Sequence, residues 1–156
     1  MEKKSKRTLG IYEAFFKKAD GLQPPQSLHV RSTKMKTTAE NVIAVHKATG
    51  LTIFQAKQFI LYNPKLCARI VKAKSNSLGL YDPIEDDPSL LVQISEAKAE
   101  AEKTVDSMKA ERGLDKSLCH FSWSHTYWCE TKRILRDRFG IEWFSPAEMN
   151  PKVKYD

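Results

Sequence analysis

From Thr38 onward apolar residues recur at helical spacing. Val42, Ile43 and Val45, with His46, form a stripe that starts behind a capping threonine and stops at Thr49-Gly50, which predicts a first helix. A second helix follows from about Thr52 to Leu61, with Phe54, Ala56, Phe59 and Ile60 expected inward. Asn63-Pro64 then supplies an N-cap and a proline at N1 for a third helix reaching about Lys74. On that helix Leu66, Ile70 and Ala73 share one face, and Lys65, Arg69 and Lys72 share another. Turns this tight predict a compact three-helix unit.

The pattern changes at Ser75. Residues 75–88 hold serines, an asparagine, a glycine, two prolines and several acids, the composition of a linker. Asp87-Pro88 opens the longest helix, about 88–112, ended by Gly113. Along it Leu90, Ile94, Ala97, Ala101, Thr104 and Met108 alternate four and three apart, a heptad row that suggests a hairpin arm or a homo-oligomer contact through residues 90–108. Phe121, Trp123, Tyr127 and Trp128 precede a helix running to Phe139. Gly140 stands where a left-handed residue would close it, with Ile141 folding back. Ser145-Pro146-Ala147-Glu148 reads as a capping box with proline at N1. Upstream, Leu9, Tyr12, Phe15 and Phe16 suit a short amphipathic helix over 8–20, and residues 28–37 an extended basic arm.

The expected architecture is therefore all-α, a small multi-helix bundle with a compact three-helix unit and one long helix. Its parts are a basic N-terminal helix and arm (1–37), a basic three-helix lobe (38–77), an acidic linker (78–88) and a long helix with an aromatic closure (89–156). The last part is expected to be able to join 38–77 in one domain.

Charge sharpens this division. Residues 1–77 carry 15 Lys/Arg against 4 Asp/Glu, residues 78–115 carry 4 against 10, and residues 116–156 carry 7 against 5. A basic lobe followed by an acidic arm implies a polyanionic partner, either nucleic acid or an acidic protein surface. Three cysteines at irregular spacing do not make the even disulfide framework of a small secreted chain. No run approaches a membrane span of roughly 18 apolar residues, so no membrane partner and a reducing, cytoplasmic setting are expected.

Phosphate contacts need cations on one side of an element and little else. Lys65, Arg69 and Lys72, with Lys74 nearby, form such a face. Lys3, Lys4, Lys6, Arg7, Arg31, Lys34 and Lys36 would add non-specific affinity. A second constellation is Cys119, His120, His125 and Cys129. On a helix His125 and Cys129 are one turn apart, a workable pair of zinc ligands, which Cys119 and His120 could complete from the preceding turn. Against this, no Cys-x-x-Cys form accompanies them, and the aromatic surroundings suit core thiols. Trp123, Tyr127 and Trp128 are candidates for a protein-binding patch, because Trp and Tyr dominate interface hot spots. Asp82, Glu85, Asp86 and Asp87 read as a solvated linker and helix cap rather than a calcium loop, since the glycine and terminal glutamate of such a loop are missing.

Residues 40–61, ENVIAVHKATGLTIFQAKQFIL, combine a helix ending in Thr-Gly, a hydrophobic residue, and a second helix carrying Ala-Lys and a late apolar pair. The segment resembles the helical hairpin of ubiquitin-associated-like domains, as in the N-terminal domain of elongation factor Ts, and the C-terminal domain of the ribosomal stalk protein. The resemblance implies a protein-binding or ribosome-associated surface at Ala48, Thr49, Gly50, Leu51, Ala56 and Lys57. It covers about twenty residues, and nothing outside them resembles either family.

No phosphate-cradling glycine loop, nucleophile elbow or dinucleotide fingerprint occurs. A non-enzymatic binding protein is expected, its basic lobe contacting DNA or RNA mainly through phosphates. The alternatives are a protein–protein adaptor or inhibitor acting through the aromatic C-terminal region and helix 90–108, and a small zinc-binding protein.

Overall fold

Local signals set the first three described helices. The computed structural model of the chain describes residues 34–112 and 123–155, all within one unit, Arg31–Asp156. Helix α1 (Ala39–Thr49) begins where the Thr38 hydroxyl accepts the Asn41 N–H, and ends at Gly50, whose φ of 69° is left-handed. Helix α2 (Ile53–Tyr62) starts with a full capping box between Thr52 and Gln55. Helix α3 (Pro64–Ile70) has its proline at N1, but the Asn63 side chain makes no capping hydrogen bond. It also stops four residues earlier than its pattern suggests, so Lys74 lies on a strand.

The stretch expected to be a linker is ordered structure. Strands β1 (Lys74–Asn76) and β2 (Gly79–Tyr81) pair antiparallel, with Lys74 opposite Tyr81 and Asn76 opposite Gly79. Three-residue strands are too short to show a periodicity, which is why the segment reads as a linker. The Asn150 side-chain amide satisfies the outer edge of β2, its Oδ1 accepting the Leu80 N–H at 2.8 Å and its Nδ2 donating to the Leu80 carbonyl at 2.7 Å. A 3-10 turn, Pro83–Asp86, follows, capped by Asp82.

Helix α4 (Leu91–Glu111) buries Ile94, Ala97, Ala101 and Val105. It packs on α5 (Ser124–Phe139), which buries Trp128, Thr131, Ile134 and Leu135. Arg138 pairs with Glu96 and Glu100, while Arg112 lies over Trp123, so the two helices run in opposite directions. Gly140 ends α5 with φ 64°, and the Ile141 N–H turns back to the Leu135 carbonyl at 3.0 Å. Helix α6 (Pro146–Met149) has the expected Ser145/Glu148 capping box. Among the described residues the fold is mainly α with one small hairpin.

Among the described residues three apolar clusters hold it together. One joins Ile84, Leu90, Ile94, Ala97 and Ala101 to Trp128, Leu135 and Trp143. Another joins Val42, Val45 and Leu51 of the first turn to Ala56, Ile60 and Cys67. The third sets Leu66 and Ile70 of α3 against Phe144 and Met149, so residues from both halves of the sequence share a core.

Candidate nucleic-acid interface

After Glu40 the chain has no acidic residue until Asp82. Within and beside that stretch Lys34, Lys36, Lys47, Lys57 and Lys72 are exposed and form no ion pair with a described acid. Among the described residues, these cations stay available to an outside anion.

The row expected to present phosphates with three charges behaves differently at each position. Lys72 is exposed. Lys65 donates to Glu142 at 3.0 Å, and Lys74, nearby on β1, to Asp86 at 2.8 Å. Both are surface pairs, which contribute roughly 0–1 kcal/mol and exchange readily for another anion.

Arg69 overturns the expectation. Only 9% exposed, it meets Asp82 at 2.6 Å, donates to the Glu142 carbonyl at 3.3 Å and lies 5.6 Å from the Phe144 ring centre. A residue held this way is a structural tie and not a phosphate ligand. Asp82, wholly buried, also accepts the Ile84 and Phe144 N–H groups at 3.2 and 2.9 Å. Burial pushes its carboxyl above the usual range, with Arg69 and the two backbone donors pulling back. The acids beside it are occupied as well: Glu85 accepts from Trp143 and Lys98, and Asp86 from Lys74 and Tyr81. The Asp82–Asp87 segment is thus a structural corner.

Helix α2 presents an outer face that sequence reasoning missed. Ala56 and Ile60 are buried and Phe59 is half-buried, which leaves Ile53, Phe54, Leu61 and Tyr62 exposed. Phe54, expected inward, is 72% exposed and Tyr62 80%. By helical spacing Phe54, Gln58 and Tyr62 form one row, and Ile53, Lys57 and Leu61 the row beside it. A surplus of apolar residues around the whole helix was the signal available. Of the positions implied by the resemblance to ubiquitin-associated-like hairpins, Leu51 and Ala56 are buried, Gly50 and Lys57 are exposed, and Ala48 and Thr49 are half-buried.

The aromatic C-terminal region is mostly core. Trp123 and Trp128 are buried and Tyr127 half-buried, so they do not form a protruding patch. They line a cleft of about 550 Å³ with Val105, Glu102 and Tyr155. The apolar row of helix α4 lies against α5 of the same chain, which covers the face expected to mediate self-association.

His125 directs Nε2 at the Tyr155 carbonyl, 2.8 Å away, and Cys129 is exposed one turn on. Cys119 and His120 lie outside the described residues, as do Lys3, Lys4, Lys6, Arg7, Arg31, the 8–20 helix and the greater part of the arm. Among the described residues no group of three His, Cys, Asp or Glu side chains gathers into a metal site. Nor is any described helix long and apolar enough to cross a membrane. Compared with known proteins, the chain matches no family model, no curated protein and no solved structure.

Proposed function

We propose that the protein is a non-enzymatic binding protein whose basic lobe, residues 38–77, contacts DNA or RNA mainly through phosphates. The observation that carries this reading is the acid-free run between Glu40 and Asp82, with Lys47, Lys57 and Lys72 exposed and unmatched by described acids. Such a surface neutralises phosphates and releases their counterions, with little dependence on base sequence. Lys34 and Lys36 extend it, and Lys65 and Lys74 join it by exchanging their surface partners. The N-terminal Lys3, Lys4, Lys6, Arg7 and Arg31 add non-specific attraction by their charge.

Fluorescence anisotropy with short duplex DNA and single-stranded RNA across a salt series tests the proposal. Expected is micromolar or tighter binding that weakens steeply with salt and falls when Lys47, Lys57 and Lys72 become Ala. No binding at low salt would sink it.

The cleft beside Trp123 and Tyr127 favours a second reading, a protein–protein adaptor that seats a partner's side chain there. Loss of a captured partner on Tyr127→Ala, with no change on Lys57→Ala, would select it. A zinc role rests on His125 and Cys129, one turn apart on α5, and metal analysis of the purified protein decides it.

A further inference from the structure

We infer that the nucleic acid is single-stranded and that Phe54 and Tyr62 on α2 are the platforms on which its bases stack. The inference rests on the phosphate-binding reading above and adds what that reading lacks, a reason for two exposed aromatic rings among lysines.

Phe54 and Tyr62 are the two most exposed large apolar side chains of the described protein. Both stand on a helix anchored by a capping box at one end and by buried Ala56 and Ile60 beneath, so their backbone positions are held before any ligand arrives. They belong to one helical row with Gln58 midway. An amide there can donate to and accept from base edges, whereas an aliphatic side chain could do neither. Lys57 lies in the adjacent row between the two ring positions, on the side a strand bridging them would cross, and no acid on α1 after Glu40, or on α2 or α3, repels a backbone. Aromatic rings interleaved with cations are the arrangement that holds single strands without strong sequence preference.

Spacing argues against a duplex. Eight residues of helix separate the two rings by about 12 Å along the axis. Stacked neighbouring bases of one strand lie about 3.4 Å apart, and in a duplex their faces are covered. Only a strand whose bases can leave the stack can place one on each ring, with Ile53 and Leu61 offering apolar cover to the sugars beside them.

Three probes test this by anisotropy at low salt: a labelled single-stranded RNA oligonucleotide, a duplex of the same length, and an abasic strand that keeps the phosphates. Expected is tighter binding of the base-bearing single strand than of either other probe. Phe54→Ala and Tyr62→Ala should each weaken it roughly fivefold to a hundredfold, while leaving the abasic strand and the duplex unchanged. Phe54→Leu, which keeps apolar area but removes the ring, should fail like Phe54→Ala, whereas Tyr62→Phe should bind as the parent does. Because both rings are exposed, unchanged thermal unfolding of the variants will separate lost stacking from lost folding. Equal binding of all three probes, unaffected by the ring substitutions, overturns the stacking inference and leaves phosphate binding standing. Absence of binding to every probe overturns both.

Discussion

The Arg69 guanidinium meets the Asp82 carboxylate at 2.6 Å, at a place where the carboxylate has no exposed surface. The pair joins α3 to the corner before the 3-10 turn, and through the Phe144 N–H and the Glu142 carbonyl it reaches the segment after α5. Arg69→Ala strands a buried charge, and the expected loss is about 3–5 kcal/mol, measured by urea unfolding. Replacing both residues with apolar ones should restore little, because the Ile84 and Phe144 N–H groups would then lack their acceptor. Full recovery in the double variant would refute this account.

The lysines separate by whether an acid already holds them. Lys47→Ala, Lys57→Ala and Lys72→Ala should each reduce nucleic-acid affinity and flatten the salt dependence, by about one unit of log–log slope or slightly less per lost phosphate contact. Lys65→Ala, whose ammonium is already shared with Glu142, should do less. Salt titrations of the four variants give the ordering directly, and an equal or larger effect at Lys65 would contradict it.

Gly79 has φ 101°, and a Cβ there would lie 2.6 Å from the Asn150 carboxamide oxygen that binds β2. Gly79→Ala should therefore cost roughly 1–3 kcal/mol. Gly140 is also left-handed but a Cβ there would meet nothing within 4 Å, so Gly140→Ala should cost only the conformational strain of about 1–2 kcal/mol. Thermal unfolding of the two variants distinguishes strain alone from strain with a clash.

Burial pushes the Cys67 thiol up to about 11, so it carries almost no thiolate at neutral pH, whereas Cys129 is exposed. In a Cys119→Ser background a thiol reagent should label one cysteine quickly in the native protein. The second should react only on unfolding, and peptide mapping should identify the fast site as Cys129.

Acid should destabilise the protein through Glu148. Burial would raise its carboxyl, but Lys132 and the Ser145 N–H and hydroxyl together hold it below the ordinary glutamate value. A folded value below the unfolded one means that the unfolded chain binds the proton more readily. The stability it contributes is present above the ordinary carboxylate value, about 4.3 for glutamate, and is lost as pH falls through the folded value. Asp82, raised by burial, acts in the opposite sense. Lys132→Met should flatten the acid limb of a stability-versus-pH curve, and an unchanged limb would remove Glu148 as its source.

Elements with local causes were readable from the chain. Thr38, Gly50, Gly140 and the Ser145/Glu148 box sit at the helix ends they announced, because a cap needs only residues within one turn. Elements with remote causes were not. The hairpin at 74–81 depends on Asn150, seventy residues away from Leu80, and the acidic corner depends on Arg69 and Trp143.

By itself the sequence determined a mainly helical chain with a charge-divided surface, since helical periodicity, caps and net charge are short-range or additive properties. Only the tertiary structure decided which cations remain available and which aromatics are core. Arg69 and Lys57 look alike as letters on amphipathic helices, but one is desolvated against Asp82 and the other faces water. Phe54 and Trp128 differ in the reverse way. Burial depends on what the rest of the chain brings to each face, and no local pattern carries that information.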